Sequence, residues 1–187
     1  EVNRWLKRYG AGFRWATVSD DDHAYTDPPP MPYQSNEIIW TTNVARHAAT
    51  AGVETLFFRN RLFYVPWLRP VEVNEEWDVL VRAMPTARTV PVTTYDGGGT
   101  VVKPIEEQAE PGPAPLLAIR QVGKGRLAIL GHNPAALWYD LGKPACGAVC
   151  SVNGDGTRKS DWLALLRNLA VWLTEPAREL GFGQDAT

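Results

Sequence analysis

Ser19-Asp20-Asp21-Asp22-His23 sets three carboxylates and one imidazole in consecutive positions. Carboxylate oxygens with an imidazole are a donor set for a divalent cation, so Asp20, Asp22 and His23 are the candidate metal ligands. Neighbours on an extended chain point to opposite faces, and at most two or three of these groups can converge. The competing reading is a solvated acidic loop entering the proline-rich stretch "TDPPPMPYQSN". A second base stands in "RLAILGHNP", where the apolar run stops at Gly131 and His132. If the fold joins the two strand ends, a carboxylate of the cluster serves as general base and His132 as acid. The result would be a metal-assisted hydrolase acting on carbohydrate, with His132, Asp22 and His23 as candidate catalytic residues.

Eight tryptophans raise a second possibility, sugar stacking. Most sit on apolar stripes, where core packing explains them. Trp67 in "VPWLRP", and Trp138 with Tyr139 in "ALWYD", lie in loop-like contexts and are the candidate ligand-binding residues. His47, among small residues, is a packing or surface residue.

Other chemistries find no footing. "GKGR" lacks the hydroxyl residue and the following helix of a phosphate loop, and reads as a turn. No serine or cysteine occupies a glycine-flanked elbow. Cys146 and Cys150 are two loop cysteines or a local disulfide, and a bridge would lean the chain toward a periplasmic or secreted setting. Zinc wants four ligands, and no second Cys/His pair has suitable spacing.

With 187 residues, 44% of them hydrophobic, one sizeable core is expected, hence a single domain over residues 1–187. A net charge of −2 argues against nucleic-acid binding, and no apolar run is long enough for a membrane span. The chain opens inside a helix pattern, "EVNRWLKRYG", so it reads as part of something longer. Its expected partner is the remainder of a larger polypeptide or another protein, with carbohydrate as a further ligand class. No cofactor is called for beyond the divalent cation of the acidic string.

Periodicity supplies the elements. Phe13 and Trp15 alternate against Arg14 and Ala16 in a strand, and "VARHAATAG" (44–52) reads as a helix stopped by Gly52. "VETLFF" and "LFYV" read as a hairpin around "RNR", and residues 77–83 as a strand or short helix. The Gly/Pro-rich segment 96–115 reads as an exposed loop. "PLLAIRQV" and "RLAILGH" flank "GKG" in a β-hairpin whose glycines supply positive φ. In "SDWLALLRNLAVWL", Ser160 caps, Asp161 complements the helix dipole, and Trp162, Leu166, Leu169 and Leu173 form the apolar stripe. Pro176 is expected to limit this helix.

The stretch "PLLAIRQVGKGRLAILGHNPAALW", followed by "DWLALLRNLAVWL", resembles the C-terminal half of class I glutamine amidotransferase-like domains, the superfamily that includes the ThuA-like proteins. "NRWLKRYGAGFRW" is similar to the early helix and strand of such domains. The resemblance implies an α/β, flavodoxin-like layered sheet with flanking helices and a β-hairpin extension, its first strand upstream of Glu1 or absent. His132 then stands where the active enzymes carry a His-Pro-Glu motif. Asn133-Pro134 follows instead, and no cysteine sits at the elbow. The resemblance therefore implies a non-catalytic accessory or interaction domain, binding carbohydrate or protein.

Overall fold

Apolar runs in this chain are mostly joined by connections too short to hold a helix, and short connections favour antiparallel neighbours. A computed structural model describes residues 1–27, 36–62, 65–66, 68–94, 102–132 and 152–179. In chain order, the first half contains α1 (Val2–Leu6), β1 (Ala11–Phe13), β2 (Ala16–Ser19), β3 (Ala24–Asp27), β4 (Asn36–Thr41), β5 (Leu56–Arg59), β6 (Arg61–Leu62) and β7 (Val65–Pro66). The second half contains β8 (Val71–Val73), β9 (Asp78–Arg82), β10 (Arg88–Thr94), β11 (Val102–Pro104) and β12 (Glu110–Pro111). It ends with the hairpin of β13 (Pro115–Val122) and β14 (Gly125–Leu130), then α2 (Trp162–Glu179).

These strands form several small sheets. β1 pairs β8, and β10 joins β2, β11 and β12. A third sheet runs β14-β13-β9, a fourth β3-β4-β5, and β6 pairs β7. Every pairing between these strands is antiparallel. The chain is therefore mainly β with a helix near each end of the described residues, and the flavodoxin-like α/β expectation is overturned. Such a fold needs crossover helices between parallel strands, and among the described residues no α-helix lies between two strands.

Residues 44–52 show why. Instead of a helix, they hold one 3-10 turn, Ala48–Thr50. Their backbone is committed elsewhere: Val44 bridges Val81, the Ala45 amide donates to the Leu80 carbonyl at 2.8 Å, and the Arg82 amide donates to Asn43 at 3.0 Å. His47 caps the turn, its Nδ1 accepting from the Ala49 amide at 3.0 Å. A short run of alanines buries too little to hold a helix against these β-type bonds.

The 115–130 hairpin forms in the expected register, Val122 opposite Gly125, and only Gly123 takes a positive φ, 57°. Segment 96–115 contributes β11 and β12 to the edge of the β10 sheet. The expected alternation at 13–16 holds for Phe13, which packs on the cluster of Leu6 and Trp77, but not beyond it: Trp15 is exposed, while Ala16–Ser19, paired with β10, are all buried. Gly131 is required by close approach, because a Cβ there would stand 1.9 Å from the Arg69 carbonyl oxygen.

The main core gathers Ile39, Leu56, Phe58, Leu68, Leu80, Leu116, Leu117 and Ile119 with Trp162, Leu165 and Leu169 of α2. The helix is pinned to the approach to β5. Trp162 Nε1 donates to the Phe57 carbonyl at 2.6 Å. Asp161 Oδ2 accepts from the Glu54 and Thr55 amides, each at 2.9 Å. Asp161 thus binds the neighbouring chain rather than only complementing its own helix dipole. The buried stripe is Trp162, Leu165 and Leu169, so Leu166 and Leu173 turn outward.

α2 runs through Pro176 to Glu179. Proline has no N–H, so the carbonyl of Trp172, four residues earlier, loses its helical donor. Arg126 of β14 replaces it, with Nη1 donating to the Trp172 oxygen at 2.7 Å and its guanidinium 4.9 Å from the centre of the Trp172 ring. Arg126→Leu is expected to destabilise the protein by about 1.5–3 kcal/mol, the range for a hydrogen bond from a charged group. The cost should shrink in a Pro176→Ala background, where a backbone N–H returns to that carbonyl. Denaturant melts of the two single variants and the double variant check this coupling.

Candidate functional site

β2 ends at Ser19, and the acidic string forms the loop between it and β3. Asp20 is 1% exposed. Its Oδ1 accepts from the amides of Asp22 at 3.1 Å and His23 at 3.2 Å, and both its oxygens lie 3.0 Å from Thr86 Oγ1. His23 Nδ1 is 2.9 Å from Thr86 Oγ1 and 3.2 Å from Asp20 Oδ2. The single hydroxyl proton of Thr86 goes to the carboxylate, so the Thr86 oxygen accepts from the Nδ1–H of His23. Asp20 is thus used to tie the 20–23 loop to the turn before β10. Asp21 faces Arg88 at 3.3 Å on the surface, and Asp22 supplies its backbone amide. Among the described residues, no three His, Cys, Asp or Glu side chains are grouped to hold a metal ion.

The His23 ring meets Trp40 edge-on, with centroids 4.5 Å apart. The Arg158 guanidinium covers Trp40 at 4.2 Å from its centroid. Arg158 is itself held by Asp155, at 2.6 Å to Nη1. Burial works against the Asp155 carboxylate, yet the amides of Arg158 and Thr157 and the Arg158 guanidinium hold it below the usual carboxylate range. A face of Trp40 that a sugar could stack on is thereby taken by Arg158.

His132 lies elsewhere. It follows Gly131, bridges Leu68, and is 2% exposed. Its ring stacks on Trp162 at 5.3 Å and meets Phe58 edge-on at 5.5 Å. Among the described residues, neither ring nitrogen makes a hydrogen bond of normal geometry, and the Arg59 backbone only partly compensates for the burial. Burial, then the charge of Arg59, pushes its pKa from 6.5 down to about 3, so the ring is neutral near neutral pH. It serves as an aromatic core residue at the junction of β14 and α2.

The pleat of β4 and β5 separates the two histidines. Ile39 and Phe58 face the main core with His132, while Trp40 and Phe57 share the opposite face, and His23 packs on Trp40. The acidic loop and His132 are therefore not brought together. Trp67, Trp138, Tyr139, Cys146 and Cys150 lie outside the described residues. An open cleft of about 370 Å³ beside Pro70, Pro111 and Pro113 contains Arg14 and Glu110, whose charges are spent on each other.

The surface that the sequence reading passed over is the outer side of α2. Leu163 is 64% exposed and Leu173 38%, with Leu166 and Val171 also in solvent. The signal was available: apolar residues occupy both 162, 165, 169, 172 and 163, 166, 170, 173, a band wider than one core-facing stripe.

Two outcomes are expected from these arrangements. Asp20→Ala should cost about 2–4 kcal/mol, because it strands two amides and a hydroxyl, whereas Asp22→Ala should stay within about 0.5 kcal/mol. Urea melts of both variants measure this. For His132, the unfolded chain takes up a proton as pH falls below 6.5, while the folded chain resists protonation down to about 3. Its contribution to stability is therefore lost progressively between those values, about tenfold in the unfolding constant per pH unit. His132→Phe should flatten the stability profile over that window relative to wild type.

No protein-family model matches the sequence, and comparison with curated protein sequences gives no match. Among solved structures, the chain is similar to the mmIFT52 N-terminal domain, at a TM-score of 0.49 and 14% identity. The alignment covers 93% of this chain and 57% of the other, so this chain spans little more than half of the solved chain. The resemblance to class I glutamine amidotransferase-like domains does not hold. The hairpin and terminal helix that suggested it are present, but they sit in a set of small antiparallel sheets rather than a layered parallel one.

Proposed function

We propose that this chain is an interaction domain of a larger protein or complex, and that it docks a polypeptide through the outer side of α2. The observation that carries this reading is an apolar band on α2 wider than its core contact, with Trp162, Leu165 and Leu169 buried and the adjoining Leu163, Leu166 and Leu173 in solvent. A helix that serves only as a lid on its own core needs one apolar stripe, with polar residues opposite. A second stripe exposes leucine surface to water, and contiguous exposure of that kind marks a contact site.

Photo-cross-linking groups placed at Leu163 and Leu166, with a control at exposed Glu107, test it in cells. Cross-links to a discrete polypeptide from the helix positions alone are expected. They should vanish when Leu166 and Leu173 are replaced by serine, with the melting temperature nearly unchanged. Equal labelling from Glu107, or a large loss of stability in the serine variant, would overturn the reading.

A further inference from the structure

The outer stripe of α2 has a definite spacing and a definite charge along its edge. Leu163, Leu166, Ala170, Leu173 and Ala177 follow one another at intervals of 3, 4, 3 and 4 residues, the a/d repeat of a helix seam. All five are exposed. At about 100° per residue they lie within one narrow band, beside the core-facing band of Trp162, Leu165 and Leu169. Ala170 and Ala177 are small, which lets a second helix axis approach closely between the leucines.

Along the edge of this band away from the core stand Arg167 and Arg178, eleven residues apart, or about 17 Å along the axis. Both are exposed, and neither forms an ion pair or side-chain hydrogen bond among the described residues. The nearest acid of the same helix with a partner, Glu175, is turned toward Arg126 at 2.5 Å. The edge is therefore positive, with no carboxylate among the described residues paired to either arginine.

Resting on the interaction reading above, we infer that this face of α2 receives an amphipathic α-helix whose leucine-type seam is bordered by acidic residues. The seam spacing selects a helix over an extended strand, because a strand's period of two cannot follow a 3-4 repeat. The unpaired arginines select the acidic border, as charges at the flanking positions of paired helices set partner choice. A second copy of this chain fits less well, since its own α2 would bring the same arginine-bearing edge to the seam.

The test uses the full chain and two synthetic 21-residue helical peptides with identical leucine seams, one bordered by glutamate and the other by lysine. Fluorescence anisotropy should show the glutamate peptide binding about tenfold more tightly, with the difference shrinking in high salt. Arg167→Glu with Arg178→Glu should invert the preference while the far-UV spectrum and melting temperature hold. Equal binding of the two peptides, or binding of neither, would overturn the inference. So would self-association through α2 in sedimentation, or preferential binding to phosphatidylserine vesicles. If cross-links from Leu163 persist while peptide preference is absent, the interaction reading stands and only the partner's chemistry is wrong. If the cross-links fail as well, both fall.

Discussion

The indole N–H of Trp162 and the carboxylate of Asp161 both end on the backbone leading into and along β5. These two anchors give α2 its place. A buried indole must find an acceptor, and Trp162 finds the carbonyl of Phe57 at 2.6 Å. The two amides bound by Asp161 would otherwise be loose ends ahead of the strand. With those bonds made, the rotation of the helix about its axis is determined, and it follows that Leu165 and Leu169 go inward while Leu163, Leu166 and Leu173 go out. The far end of the helix is secured by different means, through the Arg126 guanidinium that serves the carbonyl left open by Pro176. A single side chain from the hairpin thereby permits a proline inside the helix and ties α2 to β14.

The same placement explains the histidine at the end of the hairpin. His132 is enclosed because Trp162 lies across it and Phe58 closes its edge. Once enclosed it is held neutral, and its aromatic contacts are what it contributes at neutral pH. His23 and His47 find other uses for the imidazole, one held through Nδ1 by Asp20 and Thr86, the other accepting an amide at the start of a 3-10 turn. Three histidines in one small chain thus do three structural tasks. The contact surface proposed for this chain is assembled mostly from leucine and arginine on α2.

Local signals were legible where they are self-contained. The "GKG" turn, the flanking strands and the C-terminal helix could be read because turn chemistry and side-chain period act over a few residues. The helix read into 44–52 failed for the opposite reason: the backbone at its start, Asn43 to Ala45, is bound by Leu80 and Arg82, about 35–39 residues away in the chain. The amidotransferase-like resemblance failed likewise, since a hairpin followed by a helix is compatible with many sheets. Leu166 and Leu173 were assigned inward because the band of apolar residues on α2 is wide enough to offer two stripes. Only the anchors at Trp162 and Asp161 choose between them.

What the sequence determined by itself is the set of pieces: one hairpin, one long helix, an acidic loop, and an apolar surplus on that helix. These follow from propensity, turn residues and periodicity, which are local. Tertiary structure alone decided that the strands pair antiparallel in small sheets and that Asp20 turns inward to hold a loop. It also decided that His132 is sealed in the core and which face of α2 meets water. Each of those outcomes depends on hydrogen-bond partners and packing surfaces distant in the chain, and a linear pattern does not specify which distant groups will meet.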